Sequence, residues 1–89
     1  MVTMFVRHEV KDFAQWKQFY DGLGAMQQRL GVTAKSVFRA ADNPNDVTVT
    51  HDFASIEAAQ AFAGSSELHT AMEQAGVAGA PSIWFTTKV

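Results

Sequence analysis

Three histidines, a single tyrosine and no cysteine define the side-chain chemistry open to this chain. An unperturbed imidazole titrates near pH 6.5, so His8, His51 and His69 are the groups suited to moving a proton near neutrality. Without cysteine there are no disulfides, no thiolate nucleophile and no Cys-ligated zinc. His51 belongs to a run in which Val47, Val49, His51 and Phe53 alternate with Thr48, Thr50 and Asp52. It therefore shares the apolar face of a strand, either as a general base in a pocket or as a half-buried histidine satisfied by a backbone carbonyl. His8 lies on the matching face of the first strand, with Met4, Val6 and Val10. Both histidines come late in strands that run antiparallel, which places them at opposite ends of the sheet and argues against a shared metal. His69 flanks a helical stripe beside Met72 and reads either as a second catalytic candidate or as a surface histidine.

Gln27 is the odd member of another stripe, between Leu23 and Leu30. A buried amide costs about 1–3 kcal/mol unless it is paired, so it calls for a ligand group, a backbone group or water. Trp16 and Tyr20 on that stripe either wall an aromatic pocket or fill a plain core. Arg39 with Asp42 and Asn45 suggests a turn network. The chain contains no glycine-rich phosphate loop, nucleophile elbow, paired carboxylates or clustered metal ligands, so neither metal nor cofactor is expected.

The elements that must carry these residues follow from periodicity. A first strand spans Thr3–Val10. Asp12 opens a helix as N-cap, with Gln15 completing a capping box, and Trp16, Phe19, Tyr20, Leu23, Met26 and Leu30 form its buried stripe. Gly22 and Gly24 each weaken that helix by up to ~1 kcal/mol, which predicts a kink or break, and Gly31 ends it. A second strand runs Lys35–Ala40, a polar connection spans Ala41–Asp46, and a third strand runs Val47–Phe53. Ser55 caps a second helix with the stripe Ile56, Ala59, Phe62 and Ala63. After Gly64-Ser65-Ser66 it continues through Leu68, Ala71, Met72 and Ala75, and Pro81 leads into a last strand, Ser82–Lys88. This order is a βαββαβ split unit: an α+β, ferredoxin-like plan with a four-stranded antiparallel sheet and helices on one face.

Residues 1–89 make one domain. The 47% hydrophobic and 18% charged content is that of a globular protein, and a net charge of −2 offers no basic footprint for nucleic acid. The opening MVTMFVRHEVKD has no basic segment ahead of its apolar run, which Arg7 breaks, and no stretch is long enough to span a membrane. The expectation is a cytoplasmic protein with no membrane partner. The helices can cover one sheet face only, yet the other face carries Phe5, Trp84 and Phe38. Aromatics gathered on an open face mark an interface, and the simplest cover is the same face of a second copy, giving a homodimer.

Three segments, RHEVKDFAQWKQFY, VFRAADNPNDVTVTHDF and FAGSSELHTAMEQAGVAGAP, together resemble the dimeric α/β-barrel superfamily, and within it the small antibiotic-biosynthesis-monooxygenase-like or "cyclase" proteins. The resemblance covers nearly the whole chain. It implies the barrel-forming dimer, but the superfamily includes oxygenases, heme-degrading enzymes, cyclases and isomerases, and fold does not carry function. Two site patterns of the superfamily are testable by residue. Heme-degrading members pair a Trp with a heme-ligating His on the second helix; the matching positions here hold Phe62 and, ten residues on, Met72, with His69 one turn early. Plant polyketide cyclases of this fold use a Tyr and a His there; this chain has Phe62 and, seven residues on, His69, about 100° from the required direction. Neither pattern transfers intact.

Two functional readings remain. One is an enzyme acting on a small, flat, apolar molecule by cofactor-free oxygenation, cyclisation or isomerisation. Its site lies between sheet and helices, with His51 and His69 as catalytic candidates and Trp16, Tyr20, Gln27, Phe62 and Met72 around the substrate. The other is a noncatalytic ligand-binding or structural dimer. Ligand pockets begin near about 300 Å³. A cavity of that size lined by Trp16, Gln27 and His51 favours the first reading, and a solid core favours the second.

Overall fold

Strict alternation along the first strand becomes burial: Val2, Met4, Val6, His8 and Val10 all point inward, while the residues between them are half-buried or exposed. A computed structural model describes residues 1–89. Its elements are β1 (Val2–Val10), α1 (Phe13–Asp21), α2 (Gly24–Arg29), β2 (Ala34–Ala40), β3 (Asn43–Phe53), α3 (Ile56–Ala63), α4 (Ser66–Gln74) and β4 (Val77–Thr87). All strand pairs are antiparallel and the order is β2-β3-β1-β4, the ferredoxin-like plan. The hydrophobic core lies between one sheet face and the helices, and Phe53, Phe62, Met4 and Val47 are its largest fully buried side chains.

Local signals set the helix limits. Asp12 Oδ1 accepts the Ala14 and Gln15 amides at 2.9 and 3.3 Å, and Ser55 Oγ accepts the Ala58 amide at 3.2 Å. Ser65 stands at the N-cap of α4 without a side-chain bond. The first helix breaks into two segments at Gly22-Leu23, where the Gly22 and Leu23 amides turn back to the carbonyls of Phe19 and Tyr20, each at 3.0 Å.

Three expectations need correction. The connection between β2 and β3 is a two-residue turn, Ala41-Asp42, because Ala40 pairs with Asn43 and β3 begins there. Pro44 fits within β3 because the β2–β3 register shifts beside it, leaving no ladder bond for the missing N–H. Strand β4 likewise begins at Val77, ahead of Pro81. Against β1 its register runs to Arg7↔Ser82 and resumes at Glu9↔Ala78, so Gly79, Ala80 and Pro81 arch out opposite His8 alone. Gly79 takes φ +78° in that arch. Finally, the Arg39–Asp42–Asn45 network does not form. The Arg39 guanidinium sits 4.4 Å from the Phe13 ring centroid, while Asp46 holds Arg7 through bonds of 3.0 and 2.6 Å.

On the helix-free face, Phe5 and Trp84 are register partners and stack at 5.3 Å between centroids, with Trp84 42% exposed. Phe38, also exposed, lies on the edge strand β2 opposite Thr48 of β3, and the Arg7–Asp46 pair and a 2.6 Å Thr3–Asp52 bond share this face. The apolar patch is therefore narrower than the sequence suggests.

Gly31 adopts φ +101° where the chain leaves α2, with the Phe53 ring 3.8 Å from where a Cβ would stand. Gly31→Ala should cost about 1–2 kcal/mol, since a side chain is strained in that conformation. Gly64, at φ −90° with only ordinary contacts, should accept alanine within about 0.5 kcal/mol. Urea denaturation of the two variants measures the contrast.

Candidate functional site

His51 reaches the space between sheet and helices because β3 is central and its odd-numbered residues face α1. Its row across the sheet reads Lys35, His51, Met4, Phe85. Above it, the last turn of α1 brings the Tyr20 hydroxyl to 2.8 Å from His51 Nε2. Tyr20 in turn stacks on Trp16, one helical turn earlier, at 4.9 Å and 20°. Phe62 packs edge-on against His51 at 5.3 Å, closing the imidazole from the α3 side.

A polar row runs outward from His51. Lys35 Nζ donates to Gln27 Oε1 at 2.7 Å and lies 5.1 Å from the Tyr20 ring centroid. An ammonium has donors only, so this bond fixes the Gln27 amide with its oxygen toward Lys35 and its NH₂ free to face the Tyr20 oxygen. With the Tyr20 hydroxyl as donor in this bond, His51 Nε2 accepts and the ring proton sits on Nδ1, a buried atom with no partner. Lys35, exposed on the edge strand, links this buried row to solvent.

The electrostatics follow from burial. Desolvation, followed by the Lys35 ammonium, pushes the His51 imidazole down to about 4, with Asp52 opposing weakly. Burial pushes the Tyr20 phenol up to about 12, opposed by the nearby Gln27 amide. His8 is also lowered, by desolvation against the opposing charge of Asp46. Both histidines are neutral at pH 7 and offer lone pairs rather than charge.

These residues enclose a cavity of about 40 Å³, bounded by Trp16, Tyr20, Gln27 and His51 together with Met4, Val6, His8, Val49, Leu23, Leu68, Ala71, Met72 and Ala75. At roughly 10–15 Å³ per water it holds about three waters, far less than a drug-sized ligand needs. Of the sequence-derived candidates, the fold brings together Trp16, Tyr20, Gln27, His51 and Met72. Phe62 is a core residue behind His51 rather than a wall of the cavity. His69 is separated from the others: it is exposed on α4 and lines an outer cleft with Glu73, Gly79 and Pro81, because its position on the helix turns it away from the sheet. His8 and Lys35 were not counted among the site residues from sequence. The alternation of β2, with Val37 inward, is the signal that places Lys35 on the helix side. No group of three or more His, Cys, Asp or Glu converges in a way that could hold a metal. No helix is long and apolar enough to cross a membrane.

The arrangement places a hydroxyl–imidazole pair of the kind that relays protons beside the Trp16–Tyr20 stack. No protein-family model and no curated protein matches the chain. Solved structures do. One from Bordetella bronchiseptica, described as an antibiotic biosynthesis monooxygenase, superposes with TM-score 0.85 at 15% identity, covering 99% of this chain and 96% of its own. SnoaB, a cofactor-independent oxygenase from Streptomyces nogalater, gives 0.77 at 15% identity over 98% and 91%. A protein of unknown function from Nitrosomonas europaea gives 0.74 at 21% identity over 96% and 85%. At these identities the likeness is one of fold: the chain has the ferredoxin-like architecture of the antibiotic-biosynthesis-monooxygenase type.

A buried neutral histidine makes stability depend on pH. The folded-state value lies below the unfolded one, so the contribution is complete above about 6.5 and is lost as pH falls toward about 4. Unfolding free energy should drop by about 3 kcal/mol across that window through His51, with His8 adding in the same direction. His51→Phe should flatten the profile in guanidinium titrations at pH 7.0, 5.5 and 4.5.

Proposed function

We propose that the protein acts as a cytoplasmic homodimer on a small, flat aromatic molecule, with the cavity between sheet and helices as its site and cofactor-independent oxygenation as its chemistry. The observation that carries this reading is the 2.8 Å Tyr20–His51 bond inside an otherwise apolar cavity walled by Trp16. The description of SnoaB as a cofactor-independent oxygenase, on the same fold, supports it.

In such a reaction the substrate supplies every electron. A hydroxyaromatic or ring-flanked CH₂ group loses a proton, and the resulting carbanion or phenolate reduces O₂. Carbon–oxygen bond formation and proton return yield a hydroperoxide, which loses water to leave a carbonyl. One oxygen atom ends in the product and the other in water, CH₂ + O₂ giving C=O + H₂O. The protein has only to bind, desolvate and handle the proton. The substrate proton passes to the Tyr20 oxygen as the tyrosine proton moves to His51 Nε2. His51 alone is a weak base at about 4 and the Lys35 charge opposes its protonation, but the anion formed beside it favours the transferred state in a low-dielectric site. Because the cavity holds about three waters as it stands, a ring system enters only as α4 moves off the sheet.

The small cavity also favours a second reading, a noncatalytic dimer whose aromatic layer is simply core. Thermal shift against anthrones, quinols and aromatic polyketides separates the two, because a ligand of the native state raises the melting temperature. With a turned-over compound in hand, His51→Ala should lower kcat by roughly 10²–10⁴, the usual worth of a general base. Tyr20→Phe should fall in the same range, since the proton reaches His51 through that hydroxyl. An unaltered rate in folded His51→Ala would assign the imidazole to structure.

The homodimer reading rests on the Phe5–Trp84 stack on the helix-free face. Trp84→Glu should convert it to monomers or aggregates on size exclusion, and an unchanged elution volume would remove this face from the interface.

A further inference from the structure

His8 is used by nothing described so far, yet it is 7% exposed and neither ring nitrogen has a hydrogen-bond partner. The buried side-chain atoms without partners in this molecule are three: Nδ1 and Nε2 of His8 and Nδ1 of His51. Both residues line the same cavity. A buried polar group costs about 1–3 kcal/mol unless something pairs it, so these nitrogens call for a partner within the cavity, either water or a ligand group. Register places Met4 opposite His51, and His8 is four residues further along β1, so the two histidines stand about 13 Å apart along the sheet at about 3.3 Å per residue. The stacked rings of Trp16 and Tyr20 span the interval, Tyr20 bonded to His51 and Trp16 meeting His8 edge-on at 5.6 Å.

We propose that His8 is the second polar anchor of this cavity's ligand, which makes that ligand an elongated, planar, uncharged ring system with a hydrogen-bonding oxygen at each end. One end meets His51 and Tyr20, the other meets His8, and the ring body lies along the Trp16–Tyr20 wall. Flatness follows from the aromatic wall, and neutrality follows from the apolar lining around two uncharged imidazoles. The length follows from the spacing of the histidines less the reach of their side chains. The surroundings of His8 fit an anchor better than a packing residue. It sits opposite the Gly79-Ala80-Pro81 bulge of β4, and no backbone or side-chain group of the protein pairs with either ring nitrogen. This inference rests on the cavity being a ligand site and adds the ligand's second functional group.

The test compares three probes that share one ring system: naphthalene, 2-naphthol and 2,6-dihydroxynaphthalene. Affinities for the wild-type protein and for His8→Phe, which keeps a ring but removes both nitrogens, are measured by calorimetry at pH 7. Wild type should favour the diol over 2-naphthol by about tenfold, the usual worth of one added hydrogen bond. In His8→Phe that ratio should collapse to about one. Should the variant fail to fold, the imidazole nitrogen-15 shifts of wild-type His8 serve instead, moving with the diol and not with 2-naphthol. Equal affinity of wild type for the two phenols, a preference that survives His8→Phe, or His8 shifts indifferent to the diol would each overturn the second anchor while leaving the cavity a binding site. Failure of all three probes to bind would overturn the cavity reading itself.

Discussion

The pairing of β1 with β3 is the constraint from which the rest follows. Val2, Met4, Val6, His8 and Val10 face the helices only because their strand is held against Phe53, His51, Val49 and Val47 in one register. A slip of a single residue would send Phe5, Arg7 and Glu9 into the core and the aliphatic set to the surface. The same register carries two imidazoles inward with the aliphatic side chains. Hydrophobic burial fixes the position of the histidines, and the histidines do not contribute to fixing the register. That separation lets polar groups be held in an apolar layer at defined places, which a loop could not do as rigidly.

Holding them there is costly, and the cost is unevenly relieved. At one end, Tyr20 satisfies one nitrogen of His51 and Gln27 and Lys35 extend the row to the surface. At the other, His8 has only the ring edge of Trp16. The net stability of a small domain is a few kcal/mol, so two such groups are a sizeable fraction of it. The large aromatic side chains around them, Phe53, Phe62 and Trp16, offset that cost through burial and dispersion.

Much of this was readable from the residues. Alternation in VTVTHDF and in the first strand, the caps at Asp12 and Ser55 and the glycine break in the first helix correspond to the observed elements, because each is a local effect acting within a few residues. The inward placement of His51, and of Trp16, Tyr20 and Gln27 on one stripe, follows from the same periodicities. What could not be read depends on pairing between distant segments. Pro44 and Pro81 suggest loops until the register shows a bulge beside each that dispenses with its N–H. Lys35 becomes part of the polar row only once β2 is seen to lie at the sheet edge beside β3, under the end of α1. His69 follows the buried Leu68 on α4, and the 100° step between neighbouring helical residues carries it to the exposed side. The partner of Gln27, open in the sequence, is a lysine eight residues away across a turn.

The arch in β4 also bears on how this protein avoids unwanted company. β2 and β4 are the two edges of the sheet, each presenting backbone donors and acceptors on which another extended chain could add. Along β4 the row is broken by Gly79, Ala80 and Pro81, which lift the chain out of line, and Pro81 has no N–H to offer. An incoming strand could follow it only from Ser82 to Thr87, so about half of this edge is open to pairing. β2 is seven residues long and carries Lys35 and Arg39, charges that an invading strand would have to desolvate. The irregularity opposite His8 thus also guards the sheet against templated growth into fibres.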